Sequence, residues 1–269
     1  MKKNGILLIA AFLMAAGLAQ AQDGELHGSL EVTYLSKFIW RGFDVYNDKS
    51  AIQPAVNLDL GSGWGLQSQY SHAGSDGFEN LAWWRNYLYY RGQAFADAGA
   101  LAMNYQFGYY YYNFPDNSCD TLDLQEVHGI FSFPGLLGGE VIPTLAVVKL
   151  WPAHSGQLNG ANNQAGGGSA SGWAFIPMLD YGLPITCPIT GEQRTLNLHY
   201  EMVYNDGVSP AGGPPVDHDW SNAVFGISTD IAMAENVTLT PAVYYQSSWE
   251  DTVNTEDEFW GGITLRMGF

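Results

Sequence analysis

Eight ionisable residues lie on, or next to, the polar side of segments whose other side is apolar. They are a mixture of acids, bases and histidines, and no nucleophile motif or calcium-loop spacing surrounds them. Charges are costly toward hydrocarbon, so this set requires a polar environment, and we expect the side chains to line the interior of a channel. The eight residues are His27, Glu31, Lys37, Arg41, Asp59, His199, Glu201 and Arg266.

A hydrolase is a competing interpretation of the polar residues. A Ser-His-Asp or Asp-His site would have to bring together histidines that are scattered along the chain: His72, His128, His154, His199 and His218. His218 lies between Asp217 and Asp219, but neighbouring side chains on an extended chain point in different directions. We therefore expect no catalytic residues, no metal site and no cofactor, and we keep the hydrolase as an alternative.

Segments with alternating polar and apolar residues must position the eight side chains. In the segment from Leu26 to Trp40, one face carries Leu26, Leu30, Val32, Tyr34, Phe38 and Trp40. The other face carries His27, Ser29, Glu31, Thr33 and Lys37. A period of two predicts a β-strand with one apolar side. The final segment repeats the pattern, with Phe259, Ile263, Leu265, Met267 and Phe269 on its apolar face.

Twelve segments of this kind occur in the chain, and each has about the ten residues that a tilted strand needs to cross a bilayer. In lipid every backbone N–H and C=O must be paired, so strands span a membrane only as a closed barrel. The sequence therefore predicts an all-β fold, a transmembrane antiparallel β-barrel of twelve strands over residues 22–269. Arg266 should lie close to Glu31, since the first and last strands become neighbours on closure.

The start of the chain and its charge agree with export. Residues 1–21, "MKKNGILLIAAFLMAAGLAQA", have two lysines, an apolar run and a small-residue cleavage site, which predicts a cleaved signal peptide. The formal net charge of −17 argues against nucleic acid as a partner, because phosphates need basic contacts. Aromatic residues make up 14% of the chain, too many for a disordered acidic protein.

Three segments also resemble a known family. "YLSKFIWRGFDV", "YQFGYYYYNFP" and "LHYEMVYNDG" are similar, in the same order, to segments of the TorF-like porins, also described as the Gcw-chp domain. The resemblance implies an outer-membrane β-barrel in a Gram-negative bacterium that acts as a porin. Similarity to other outer-membrane proteins further implies that Phe269 at the chain end helps the outer-membrane assembly machinery recognise the last strand.

We therefore predict a narrow, water-filled ion channel in the outer membrane for passive diffusion of ions and small hydrophilic solutes. Its partners would be outer-membrane lipid, those solutes and the assembly machinery. Lys37 and Arg41 could form a basic patch opposite acidic groups, while acidic outer loops would favour cations. The alternative is a plugged barrel that acts as a structural or binding protein.

Two cysteines test the predicted topology. The prediction places Cys119 in an outer loop and Cys187 at an inner connection, on opposite sides of the membrane. A disulfide cannot span that distance. A Cys119–Cys187 bond would therefore require a different number of strands between them.

Overall fold

The computed structural model describes residues 27–116, 123–138, 140–153, 171–186, 191–207, 218–251 and 253–269. The predicted signal peptide, residues 1–21, lies outside the described residues, and so do Cys119 and Cys187. None of the helices in the described part of the chain is long and apolar enough to cross a membrane.

Strands dominate the described residues, together with two short 3₁₀ helices at Glu79–Leu81 and Gly99–Leu101. The strands are β1 (His27–Leu35), β2 (Ile39–Trp40), β3 (Phe43–Asp44), β4 (Ala51–Gly61), β5 (Trp64–Ala73), β6 (Trp83–Ala94), β7 (Met103–Asn113), β8 (Leu124–Ser132), β9 (Val141–Pro152), β10 (Gly172–Thr186), β11 (Gln193–Asp206), β12 (Asp219–Thr229), β13 (Ile231–Ala234), β14 (Val237–Ser248) and β15 (Glu258–Gly268).

Twelve of these strands form one closed antiparallel barrel. The nine strands from β4 to β12 pair in chain order, each with its neighbour. The wall then continues from β12 to β14 and from β14 to β15, and β1 closes it by pairing with both β15 and β4. The short β13 follows β12 and pairs with the start of β14, while β2 and β3 pair only with each other. The predicted twelve-stranded transmembrane barrel is confirmed.

Alternation along the strands separates an apolar outside from a polar inside. Large apolar side chains are exposed on the outside, although water would not favour them there, and lipid is the solvent that suits this surface. Examples from six strands are Val32, Leu88, Phe107, Phe225, Val243 and Ile263. We call the end of the barrel that carries Phe269 and the turn between β4 and β5 the inner end, and the opposite end the outer end.

Two strand boundaries differ from the prediction. The first strand ends at Leu35, so Phe38 and Trp40, which we expected on the lipid face, belong to a separate hairpin. The strands β10 and β11 extend further inward than predicted, up to the pair Ile185 and Arg194 and beyond it. The pairing of β10 with β9 stops at Tyr181, so Pro184 faces no partner on that side and its missing N–H breaks no ladder.

Candidate functional site in the barrel interior

The first outer loop, residues 36–50, folds into the barrel. We call it the plug hairpin. Its two short strands are joined by Arg41 and Gly42, whose φ angles of 50° and 93° are both positive, as a type I′ hairpin turn requires. A Cβ atom at Gly42 would lie 2.5 Å from Oδ1 of Asn222, so glycine lets the turn approach the wall.

Aromatic side chains of the plug hairpin are buried against the barrel wall. The Trp40 ring contacts Trp83 at a centroid distance of 5.7 Å and Tyr112 at 5.9 Å, in edge-to-face geometry. The Tyr46 hydroxyl hydrogen-bonds Ser71 at 3.1 Å, and burial raises its pKa to about 12. Further wall residues in the same cluster lie at the outer ends of their strands and include Phe114, Leu124, Leu150, Ala174 and Val203. The outer half of the interior is thus filled by an apolar core.

The tip of the plug hairpin reaches across the interior. Arg41 donates to Glu126 of β8 at 2.8 Å, and Gln246 of β14 donates to the carbonyl oxygen of Gly42 at 3.0 Å. The hairpin starts between β1 and β4, so β8 and β14 belong to different parts of the wall. The tip is therefore held from two sides.

Lys37 fixes the base of the plug hairpin. Its ammonium group contacts Asp48 within the loop and Glu258 of β15. Burial acts to lower the pKa of Lys37, but hydrogen bonds to both carboxylates and their charges raise it overall. Asp44 lies beside the two carboxylates, and the three together have the geometry of a cation site. In the structure, the ammonium group of Lys37 contacts two of these three carboxylates and provides the positive charge beside them.

A polar layer lies beneath the apolar core. The Glu126 carboxylate is fully buried and accepts hydrogen bonds from Arg41, from the Tyr112 hydroxyl at 2.8 Å and from Nδ1 of His128 at 3.1 Å. His128 Nε2 in turn lies 2.7 Å from the Tyr87 hydroxyl. The sequence did not single out Glu126, because polar and apolar residues around it do not show which side of this strand faces the lumen.

Charge pairs line the inner half of the interior. Arg266 Nε lies 3.3 Å from Glu31 Oε1, which is the predicted pair, and the two residues are also register partners. Asp59 pairs with Arg91 at 3.0 Å. The register partner of Asp59 on β1 is His27, at the inner end. The Arg266 side chain is 61% exposed and that of Arg41 only 14%, so water screens the inner pairs far more.

A cavity of about 590 Å³ lies on the wall formed by β10, β11, β12 and β14. His199 stands at its centre, with Nδ1 2.7 Å from Asp180 and Nε2 3.4 Å from Glu201. A second cavity of about 850 Å³ shares Asn197 with the first and extends to the inner mouth. The lining residues Tyr244 and Gly226 lie nearer the inner end than Gln246 and Asn222, which touch the plug hairpin.

The eight predicted residues thus separate into three groups. Lys37 and Arg41 belong to the plug hairpin, and each is ion-paired with a carboxylate of the barrel wall, Glu258 and Glu126 respectively. His199 lines the cavity of about 590 Å³, and Glu201 contacts His199. The remaining four, His27, Glu31, Asp59 and Arg266, lie on the seam between the first and last strands or on the neighbouring strand β4.

The histidines proposed for a hydrolase have other partners. His128 contacts Tyr87 and Glu126, and His72 contacts the carbonyl oxygen of Ala73 at 2.7 Å. His218 pairs with Asp206 at 2.5 Å, not with its sequence neighbour Asp219, and His154 lies outside the described residues. Among the described residues, His218 and His199 each pair with an aspartate, which is the Asp-His arrangement, while none of the contacts named for these histidines involves the serine of a hydrolytic triad.

Comparisons with known proteins identify the fold. No family model and no curated protein matches the chain. Among solved structures, the KdgM porin aligns over 90% of this chain and 99% of its own, with 10% identity and a TM-score of 0.50. A KdgM porin in complex with disordered oligogalacturonate aligns over 90% and 99%, with 9% identity and the same score. The NanC porin aligns over 89% and 98%, with 9% identity and a TM-score of 0.50.

At these identities the likeness establishes a shared fold, which is that of outer-membrane porins. Closed antiparallel barrels with an apolar outside cross bacterial outer membranes. The fold and the exposed apolar surface together give the location: this is an outer-membrane β-barrel.

Proposed function

We propose that the protein is a porin, a narrow channel through which ions and small hydrophilic solutes diffuse passively, and that the plug hairpin is its constriction. The observation that carries the proposal is the arrangement of charges in the inner half of the interior. Glu31, Arg266, Asp59 and Arg91 form partly exposed pairs there, and cavities on the β10 to β12 part of the wall continue to the inner mouth. A barrel that served only as a rigid anchor would have no need of such a hydrated, charged wall.

The fold neighbours support the same conclusion. Two different porins, KdgM and NanC, share the barrel over nearly its whole length. The motifs around Lys37 to Gly42 and Tyr109 to Tyr112 support membership of the TorF-like porins. Cleavage after Ala21 and recognition of the Phe269 strand by the assembly machinery belong to the same proposal.

A plugged barrel is the second candidate, and one observation favours it. The plug hairpin is anchored by an apolar core, two ion pairs and the Gln246 hydrogen bond, and these contacts hold it firmly in the lumen. If the hairpin never leaves this position, solutes are limited to the space that it leaves open. The barrel would then serve as a structural or binding protein. We propose that it has no enzymatic activity in either case.

Single-channel current in a planar bilayer tests the proposal. The mature protein should give small, stepwise conductance, and a variant in which residues 38–44 are replaced by a short glycine–serine linker should conduct several times more. A salt gradient would give the ion preference from the reversal potential. If the folded wild type is silent and the shortened variant conducts, the plugged barrel is correct. If both are silent, the porin proposal fails.

A further inference from the structure

We propose that the cavity around His199 is a binding site for a neutral sugar or a similar polyol. This inference rests on the proposed channel function, because a solute reaches the cavity through the lumen. It adds a solute class to that function, and the argument uses the shape of the cavity, its hydrogen-bonding groups and its charge.

The size of the cavity suits a small saccharide. Its volume of about 590 Å³ lies within the range of roughly 300 to 1,000 Å³ that is usual for small-molecule sites. It lies on the inner side of the plug hairpin, and the adjoining cavity of about 850 Å³ links it to the inner mouth. A solute in this position would be retained between the constriction and the exit.

An aromatic ring forms one side of the site. Tyr244 is stacked on Trp260, with ring centroids 5.2 Å apart and an interplanar angle of 19°. Its register partner is Gly226, where a Cβ atom would come within 2.9 Å of the Tyr244 ring. Because Gly226 has no side chain, the ring lies against the backbone of β12. Tyr244 is thus a rigidly held aromatic wall of the cavity that the C–H groups of a sugar can contact.

Polar groups that accept hydrogen bonds, two of which also donate them, complete the lining. Asn197 offers an amide, Ser228 a hydroxyl and Asp180 a carboxylate, and all three line the cavity. The Asp180 side chain is 49% exposed, and its Oδ1 atom contacts His199. Sugar hydroxyls also donate and accept, so they match this mixture better than an ion of a single sign does.

The charges of the site disfavour an acidic ligand. His199 lies between two carboxylates, Asp180 and Glu201, and therefore offsets part of their charge. Glu140 also lines the cavity, so an acidic sugar would meet carboxylates on several sides. A cation would compete with the imidazole group of His199 for the same oxygen atoms. These carboxylates therefore disfavour an acidic sugar such as the oligogalacturonate named for one KdgM structure, and the hydroxyl-matching groups of the lining suit an uncharged one.

Isothermal titration calorimetry of the folded protein with galactose and galacturonate tests the inference. The two sugars differ only in a carboxylate at the terminal carbon. Galactose should bind, and galacturonate should bind about tenfold more weakly at low salt, because like charges repel. The variant Tyr244→Leu should weaken galactose binding about fivefold, the order expected for loss of one aromatic contact. Asp180→Asn should reduce the difference between the sugars.

The control variant is Gln67→Ala, a polar residue on β5, outside the cavity lining, which should leave both affinities unchanged. Equal or tighter binding of galacturonate would overturn the inference, and so would galactose binding that Tyr244→Leu leaves intact. Calorimetry does not depend on conductance, so the two proposals fail separately. A conducting protein that binds no galactose is a porin without this site, and a silent protein that binds it is a plugged barrel with a sugar site.

Discussion

The outer and inner halves of the interior are built on the same twelve strands but use opposite means of filling space. In the outer half, the plug hairpin contributes aromatic rings and one nearly fully buried ion pair, Arg41 with Glu126. In the inner half, the pair of Arg266 with Glu31 is partly exposed, and open cavities lie on another part of the wall. The wall supplies apolar side chains where the plug hairpin packs against it and charged ones further inward. A loop of fifteen residues thus completes a core that the wall alone would leave open.

Removal of the largest hairpin side chain should have the largest effect on stability. Trp40→Ala deletes a buried ring that contacts Trp83 and Tyr112, and we expect a loss of about 4 kcal/mol in the free energy of unfolding. Urea unfolding in micelles measures the loss, and trypsin should cleave after Arg41 once the hairpin is released. Trp64→Ala is the control, since Trp64 lies at the inner end of the outer surface and is 47% exposed. Equal losses in the two variants would contradict the contrast between the two regions.

The buried ion pair should show the next largest effect. Arg41→Met keeps the length of the side chain but leaves the Glu126 carboxylate without its cation, and we expect a loss of about 3 kcal/mol. Glu126→Gln in the same chain should recover part of this loss, because a neutral amide is less costly to bury. A double-mutant cycle measures the coupling between the two positions. Additive losses would show that Arg41 does not act through Glu126.

Substitutions of Gly42 and Gly61 distinguish the cost of backbone strain from the cost of a clash with the barrel wall. Gly42→Ala should cost about 2 kcal/mol, because φ is positive and the new Cβ atom would meet Asn222 and Val253. Gly61→Ala has a similar φ of 79° but open space around the position, so it should cost only about 1 kcal/mol. Urea unfolding of the two variants, side by side, gives the contribution of the contact. A cost at Gly42 no greater than at Gly61 would mean that the hairpin tip is loosely seated.

The exposed pair of the inner half should show the smallest effect on stability. Arg266→Ala should cost about 0.5 kcal/mol at low salt and almost nothing at high salt, as is usual for hydrated pairs. The same change should shift the reversal potential toward cations, because it removes a positive charge from the lumen and leaves Glu31. A salt-independent loss above that of Arg41→Met would reverse the assignment of the two halves.

The sequence predicted the barrel well because the alternation of residues follows directly from a wall with lipid on one side. The pairing of Glu31 with Arg266 followed from closure alone. Phe38 and Trp40 were misplaced because they continue the period of Val32 and Tyr34, although the backbone has already left the wall at Leu35. The signal for this departure was Gly42, whose freedom at positive φ marks a tight turn. The partners of Arg41 could not be predicted, because Glu126 and Gln246 lie far away in the sequence.

The pairing of β1 with β15 has a consequence for how the barrel forms. Every other pair in the wall joins strands that are close in the sequence, so those ladders have low contact order and can be added one hairpin at a time. The seam alone joins residues from the two ends of the chain, with Gly28 and Phe269 exchanging two backbone hydrogen bonds. The entropic cost of joining these distant segments is met in a single step, and that step requires β15 to be present. We expect closure of the seam to be the slow event in folding, and every chain that lacks β15 to present two unpaired edges.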